Sequence, residues 1–210
     1  GYKSAKIRPD AAMGRDATEN ALAGCDTRMG NIGAGCGATV GKLYGMGQSM
    51  KAGLGLHCIQ IGSFQIGAIV VVNAAGDIYE AGTGKRLAGL LSADRKQPLD
   101  SVTEMCKCLV PHDQFTGNTT IGAVFTNAAF SKTELNKIAS MTRNAYARCI
   151  GPVGTMADGD SIYAISIGSE KVDINVAGTL AASVMQEAIR KAVESARIPE
   201  EEFVAAVQNL

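Results

Sequence analysis

Residues 66–72 form the apolar run that most restricts how this chain can fold. A shorter apolar segment, residues 56–61, precedes it across a Gly62-Ser63 pair, and the turn-forming residues 73–77 follow it. Two such segments around a two-residue glycine turn predict a β-hairpin. Because the longer run is apolar at consecutive positions, it predicts a second strand that is buried on both faces.

Further predicted strands and helices lie around this hairpin without strict β-α alternation. Strands are predicted over residues 119–126 and 161–168, and helices over 14–28, after Ser101, after Ser131, over 175–197 and after Pro199. Ser101 and Ser131 are each followed by a glutamate three residues later, which is the pattern of a capping box. Central strands with helices outside them predict a layered α+β domain rather than a doubly wound sheet.

The composition argues against several classes of partner. A chain of 210 residues, 46% of them hydrophobic, fits one domain with a sizeable core. Its 20 basic and 20 acidic side chains balance, so neither nucleic acid nor an anionic membrane is an expected partner. The longest apolar run falls far short of the roughly 20 residues of a membrane helix. No charged-then-apolar leader opens the sequence, so secretion is not predicted.

The six cysteines and two histidines do not predict a metal centre. No two cysteines have C-x-x-C spacing, and Cys106-Lys-Cys108 is a weak signal for zinc or redox chemistry. Scattered thiols are typical of reduced proteins, so we predict structural cysteines and a cytoplasmic location. With only His57 and His112 available, a metal site built on histidine is not expected, and no cofactor is predicted.

A glycine-rich segment, residues 30–55, invites comparison with nucleotide-binding loops. The P-loop pattern fails there, because Cys36 and Leu43 stand where its first glycine and its hydroxyl residue are needed. Residues 33–38 satisfy G-x-G-x-x-A, but no apolar strand leads into them and no acidic residue follows at the distance that ribose binding needs. We therefore interpret these glycines as positions that permit left-handed backbone and close packing.

The segment TGNTTIGAVFTN, residues 116–127, opens a predicted strand with a polar cluster directly after a glycine. An ordinary strand start is one interpretation, since Asn-Thr is a common dipeptide. The other is that Thr119 is a nucleophile whose base is its own α-amine, made by cleavage of the bond after Asn118. An α-amine has a pKa of about 7.7–8.0. A hydroxyl nucleophile would need such a base here, because neither His57 nor His112 has a partnering motif.

Four segments, in the same order, resemble the self-processing aminopeptidases. That family includes L-aminopeptidase/D-esterase, the β-peptidyl aminopeptidases and the nylon-oligomer endo-hydrolase. The matching segments are residues 8–14 (RPDAAMG), 30–42 (GNIGAGCGATVGK), 118–127 (NTTIGAVFTN) and the Asp158-Gly-Asp160 turn with the strand after it. The Asn-Thr junction and the Asp-Gly-Asp turn resemble the nylon-oligomer hydrolase branch most, and the similarity spans nearly the whole chain.

The resemblance implies a four-layer αββα sandwich of the N-terminal-nucleophile-hydrolase type. It also implies a precursor cut after Asn118, with Thr119 as the new N-terminus and nucleophile. Lys42 matches a lysine near that nucleophile, and Asn73 matches an asparagine placed to contact the oxyanion. An amide donor and a cation in these places would stabilise charge on a tetrahedral oxygen.

The same resemblance assigns the acidic residues and the subunits. Asp158 and Asp160 match paired acidic positions that orient the nucleophile and its amine. Residues 1–118 would supply the first subunit and residues 119–210 the second, within one domain that we expect to be the C-terminal part of a longer precursor. The implied activity is hydrolysis of short peptides or amides through an acyl-enzyme, in a homo-oligomer of processed heterodimers.

Two other functions stay open at this point. Ornithine acetyltransferases share a similar fold and use a threonine exposed by self-cleavage, so an acyltransferase could carry the same residues. A non-catalytic, oligomeric binding domain that retains the fold is the second alternative. Taken singly, Lys42 can be a solvated side chain, Asn73 a strand end, and the Asp158-Gly-Asp160 segment an ordinary turn.

Overall fold

The computed structural model of the protein describes residues 7–24, 26–107, 109 and 117–208. Its helices are α1 (Ala11–Ala23), α2 (Ser101–Cys106), α3 (Lys132–Cys149), α4 (Ile174–Glu194) and α5 (Glu200–Gln208). Its strands are β1 (Thr39–Val40), β2 (Met50–Lys51), β3 (Leu54–Ile61), β4 (Phe64–Asn73), β5 (Asp77–Tyr79), β6 (Arg86–Ala88), β7 (Thr119–Ala128), β8 (Ile150–Gly151) and β9 (Ser161–Glu170). Two short 3₁₀ helices, Gly33–Gly37 and Met46–Gln48, lie in the glycine-rich segment.

A four-stranded sheet with the strand order β3-β4-β7-β9 forms the centre of the fold. β3 and β4 are the predicted hairpin, antiparallel and joined by the two-residue turn Gly62-Ser63. β4 also pairs antiparallel with β7, which places Asn73 directly opposite Thr119. β7 pairs parallel with β9, and the chain enters β9 through the Asp158-Gly-Asp160 turn. The strand ends therefore bring three of the predicted site segments to one edge of the sheet.

Helices α3 and α4 pack together against one face of this sheet. The predicted capping box of Ser131 and Glu134 begins α3, and the carboxylate of Asp173 caps α4. α4 approaches β3 so closely that a Cβ on Gly55 would lie 1.9 Å from the carbonyl oxygen of Ala188. Central strands with helices packed on them confirm the α+β class.

The side chains of β4 alternate between the helix side of the sheet and an open side. The buried set is 8% exposed or less and consists of Phe64, Ile66, Ala68, Val70 and Val72. Ile69 points the other way and is 37% exposed. Neighbouring strands add more exposed apolar side chains to that side, namely Ile121, Tyr163, Ile165 and Ile167. In the described part of the chain the predicted burial of β4 thus holds for one face only, because an apolar pattern does not say what covers it.

A second sheet, β6-β5-β8, packs beside the helices and is organised by a buried carboxylate. Asp77 is fully buried and accepts hydrogen bonds from the N–H of Leu90 and from the N–H and hydroxyl of Ser101. The predicted capping box at Ser101 is therefore wrong, because that hydroxyl bonds to Asp77. Asp100 caps α2 instead, by accepting from the N–H of Thr103. The same stretch also contributes the fully buried Leu90.

Candidate active site

The junction between Asn118 and Thr119 lies where β7 begins, beside the turn that leads into β9. Asn118 is 3% exposed, and its backbone forms a parallel bridge with that of Asp158. The Thr119 hydroxyl donates to the carbonyl oxygen of Asn118 across 2.5 Å. The backbone N–H of Gly159 donates to the same oxygen at 3.0 Å. The Asn118 carbonyl is thus held between a hydroxyl and a main-chain amide.

Thr119 and Thr120 point to opposite faces of the sheet, as successive residues of a strand do. Thr119 shares the open face with Asn73, its register partner in β4. Thr120 is fully buried on the helix side, and its hydroxyl oxygen has no hydrogen-bond partner among the described residues. Of the two threonines, Thr119 is the one whose hydroxyl reaches the Asn118 carbonyl.

Asn73 ends β4, and its neighbours fix the orientation of its amide group. The side-chain oxygen accepts from Lys42 Nζ at 2.8 Å and from the N–H of Thr39 at 3.1 Å. Lys42 Nζ also donates to the backbone oxygen of Asn73 at 2.9 Å. With its oxygen held in this way, Asn73 donates its NH₂ to the carbonyl of Gly117 at 3.3 Å. In the uncut chain this donor therefore contacts the residue before Asn118.

The glycine-rich segment delivers Lys42 to this place. Gly41 has a φ of 70°, which favours glycine, and the N–H groups of Gly41 and Lys42 donate to the carbonyls of Gly76 and Ala75 just after β4. Lys42 is 5% exposed, so it is not a solvated surface lysine. Burial lowers the pKa of Lys42 to about 8, against the opposing effect of the Asp158 carboxylate.

Asp158 and Asp160 are positioned by different partners on the two sides of Gly159. The Asp158 carboxylate accepts from the N–H and the hydroxyl of Thr155, at 2.9 and 2.8 Å. The Asp160 carboxylate accepts from the N–H of Thr120 at 2.7 Å, so it ties the turn to the start of β7. Burial raises the pKa of Asp160 and the charge of Asp158 adds to this, while the Thr120 N–H opposes it. Such perturbed groups cluster at functional sites.

All the residues predicted from the resemblance meet at this junction, namely Lys42, Asn73, Asn118, Thr119, Asp158 and Asp160. Sequence reasoning missed Thr155, although its spacing to Asp158 is a signal, since a hydroxyl three residues before a carboxylate can close a turn. It also missed Arg143 and Tyr146 of α3, which line a cavity of about 360 Å³ beside the two aspartates. The N–H of Gly159 was missed as well, because a backbone group has no residue-type signal.

This arrangement suits attack by a hydroxyl on an amide carbonyl. Thr119 supplies the hydroxyl, main-chain and side-chain N–H groups surround the carbonyl oxygens, and a buried cation and two carboxylates lie next to them. Activated hydroxyl nucleophiles in proteins have an adjacent base and an oriented third group, and donors around the oxygen stabilise its developing charge.

The remaining candidates for chemistry lie elsewhere. His57 sits on β3, where its Nδ1 is 3.0 Å from Lys191 Nζ, and His112 falls outside the described residues. Within the described ranges no group of three His, Cys, Asp or Glu side chains could hold a metal ion. Four cysteines form no disulfide among the described residues, and the other two, Cys25 and Cys108, are also outside those ranges. No helix in the described part of the chain is long and apolar enough to cross a membrane.

Comparison with known proteins identifies the family. The model of peptidase family S58 matches residues 4–202. The chain belongs to peptidase family S58. This family membership confirms the predicted resemblance.

The S58 chain is similar to longer bacterial proteins. It is 33% identical over 207 residues to the 6-aminohexanoate-oligomer endohydrolase of Paenarthrobacter ureafaciens, covering 90% of this chain and 57% of that protein. A putative NylC-analogous protein of Agromyces has the same identity over 207 residues and is covered to 66%. An uncharacterized aminopeptidase of Mycobacterium tuberculosis is 33% identical over 171 residues, which cover 79% of this chain and 47% of that protein. The chain thus spans about half to two thirds of the length of these relatives.

Solved structures show the fold of the S58 chain. The L-aminopeptidase D-Ala-esterase/amidase of Ochrobactrum anthropi, described as a variant of the Ntn-hydrolase fold, matches with a TM-score of 0.55 at 18% identity, over 87% of this chain and 52% of that one. The PH0078 protein of Pyrococcus horikoshii matches with a TM-score of 0.57 at 19% identity, over 93% and 57%. The predicted N-terminal-nucleophile-hydrolase-like fold is confirmed.

Proposed function

We propose that this S58 chain is a self-processing amide hydrolase whose nucleophile is Thr119, freed by cleavage after Asn118. The observation that supports this most is the 2.5 Å separation of the Thr119 hydroxyl from the Asn118 carbonyl oxygen in the uncut chain. Attack on that carbonyl would give the threonine a free α-amine, which can serve as the base for its hydroxyl. Residues 1–118 and 119–210 would then belong to two associated subunits.

Cleavage would proceed by an N-to-O acyl shift. Oγ1 of Thr119 forms a bond to the carbonyl carbon of Asn118, and the bond from that carbon to the Thr119 nitrogen breaks. The nitrogen takes the proton that the hydroxyl loses, so the product is an ester that joins Asn118 to the threonine oxygen. Water then hydrolyses the ester, which leaves a carboxylate on Asn118 and an α-amine on Thr119.

In the cut protein the same oxygen would attack the substrate amide. The neutral α-amine of Thr119 takes the hydroxyl proton and passes it to the leaving amine, and water releases the acyl group. Lys42 holds Asn73 by its oxygen, so that the Asn73 NH₂ can serve the substrate oxyanion once Gly117 moves away. The Asp160 carboxylate holds the N–H of Thr120 and the backbone of Asp158 bridges that of Asn118, so the turn before β9 positions both chain neighbours of Thr119.

We further propose that the substrates are short amides. The relatives carry the names oligomer endohydrolase and aminopeptidase, which share the cleavage of an amide bond in a short chain. Thr119 and Asn73 both face the open, apolar side of the sheet, where aliphatic substrate segments would find contacts. Assembly into a homo-oligomer and a cytoplasmic location stay predictions.

The test is the intact mass of the full-length protein and of three variants under denaturing conditions. The parent and Thr119→Ser should each give a piece that begins at residue 119, because both keep a hydroxyl there. Thr119→Ala should stay whole and be inactive on peptide amides. Thr120→Val is the matched control, since its hydroxyl is buried without a partner among the described residues, and it should be cut like the parent.

Two results would contradict the proposal. Thr119→Ala that is cut normally would show that another group does the cutting. A parent protein that hydrolyses amides as one unbroken chain would leave the Thr119 nitrogen in an amide, where it could not act as a base.

A further inference from the structure

We propose that the backbone N–H of Gly159 is the oxyanion donor of the self-cleavage step. The inference rests on the proposed function and adds a catalytic group that no side chain provides. It assigns the middle residue of the Asp158-Gly-Asp160 turn a part in the reaction, whereas the sequence pattern gave parts only to the two aspartates.

The donor is already in place in the uncut chain. Its nitrogen lies 3.0 Å from the carbonyl oxygen of Asn118, so it already donates a hydrogen bond to the atom that would become the oxyanion. The Asn73 NH₂ is the other donor nearby, but it bonds to the carbonyl of Gly117. The Gly159 N–H thus donates to the oxygen on which charge would develop, whereas the Asn73 NH₂ does not.

The surroundings of Gly159 hold this N–H in position. The parallel bridge between Asn118 and Asp158 fixes the two backbones relative to each other. The hydrogen bonds from Thr155 to Asp158 and from Thr120 to Asp160 anchor the turn on both sides of the glycine. A donor fixed before the reaction needs little reorganisation when the charge appears, which is what makes such a group effective.

The absence of a side chain at position 159 serves the same geometry. A Cβ there would lie 2.8 Å from Oγ1 of Thr119, which is closer than real Cβ contacts. Any side chain would therefore push the attacking oxygen away from the Asn118 carbonyl. Glycine allows the donor and the nucleophile to approach one carbonyl from neighbouring directions.

The electron flow accounts for the effect on rate. When Oγ1 of Thr119 bonds to the carbonyl carbon, the π pair of that carbonyl moves onto the Asn118 oxygen, and the N–H of Gly159 faces the negative charge. When the pair returns, the carbon–nitrogen bond breaks and the Thr119 nitrogen leaves with the proton of the hydroxyl. The hydrogen bond is stronger to the charged oxygen than to the neutral carbonyl, so it lowers the barrier.

The test replaces Gly159 with glycolic acid in the full-length protein, which exchanges the N–H for an ester oxygen and adds no side chain. We expect the rate at which the piece beginning at Thr119 appears to fall about 10²-fold or more. Glycolic acid at Gly62 is the control, because that glycine lies in the exposed β3–β4 turn at the far end of the sheet, and it should leave the rate unchanged. A Gly159→glycolic acid protein cut at the parent rate would overturn the inference.

A second measurement does not depend on cleavage or on the fold of the ester variant. In uncut, isotope-labelled Thr119→Ala, a through-hydrogen-bond coupling should join the Gly159 nitrogen to the Asn118 carbonyl carbon, and its absence would refute the assignment. Failure of the two proposals can be told apart. If the parent is not cut before Thr119, the proposed function is wrong. If the parent and the ester variant are cut at the same rate, only the role of Gly159 is wrong.

Discussion

Replacing Lys42 with methionine is expected to stabilise the uncut fold. Lys42 is 5% exposed, and its burial lowers its pKa from 10.5 to about 8. A drop of that size means that folding disfavours the protonated form of Lys42 over its neutral form by about 3 kcal/mol. Methionine removes this penalty and fills a similar volume. It also removes two hydrogen bonds to Asn73, which offsets about 1–2 kcal/mol. We therefore expect a net gain of about 1–2 kcal/mol at pH 7.

The stability difference between Lys42→Met and its parent is expected to depend on pH. The unfolded chain binds the Lys42 proton up to about pH 10.5 and the folded chain only up to about pH 8, so this group makes stability rise with pH between those values. The penalty is fully present below pH 8 and disappears towards pH 10.5. The advantage of Lys42→Met should therefore shrink over the same window and turn into a small loss at its upper end.

The assay is urea unfolding between pH 7 and 10, with Thr119→Ala in both proteins so that neither is cut. Lys51→Met is the matched control, since Lys51 is also buried but donates to the carbonyls of Gly35, Ala38 and Ala52. Loss of those bonds should cost about 2–4 kcal/mol. The reasoning is refuted if Lys42→Met is less stable than its parent at pH 7, or if their difference does not change with pH.

The remaining predictions concern one carboxylate and the packing of α4. Burial raises the pKa of Asp160, so self-cleavage should slow as the pH falls through a value above 3.8, and Asp160→Asn should be slower and lack this acid limb in a pH–rate profile. An unchanged limb in the variant would assign it to another group. Gly55→Ala should lose more than about 2 kcal/mol in urea unfolding, because its Cβ would meet the α4 backbone at 1.9 Å. Gly14→Ala, with nothing within 4 Å, should gain up to about 1 kcal/mol, and equal effects at the two glycines would contradict the packing argument.

Sequence reasoning succeeded where local signals decide the structure. The β3–β4 hairpin has a two-residue glycine turn, and α3 has a capping box whose two halves lie three residues apart. Both signals act within a few residues, so they survive in any tertiary context. The helix after Ser101 was found for the same reason, but its cap was assigned to the wrong residue. Asp77, 24 residues away along the chain, takes the serine hydroxyl, and Asp100 replaces it as the cap.

Long-range pairing limited the rest of the prediction. β5 and β6 have three residues each, too few for a periodic pattern, and they exist because they pair with each other and with β8. The side chains that meet at the junction were predicted from four ordered motifs that resemble a known family. The contacts between these side chains could not be predicted, since the hydrogen bond from Lys42 to Asn73 joins residues on different segments of the fold.

Gly159 illustrates a kind of site group that sequence motifs do not reveal, a backbone N–H. An N–H is present at every residue except proline, so a catalytic backbone donor leaves no residue type to recognise. The sequence does show a glycine at this position. A glycine can be needed for a turn with left-handed backbone or for the close approach of another group. The φ of Gly159 lies outside the left-handed region, so the turn itself does not require glycine. A Cβ at this position would lie 2.8 Å from Oγ1 of Thr119, so the close approach of that hydroxyl, rather than the turn, accounts for the glycine.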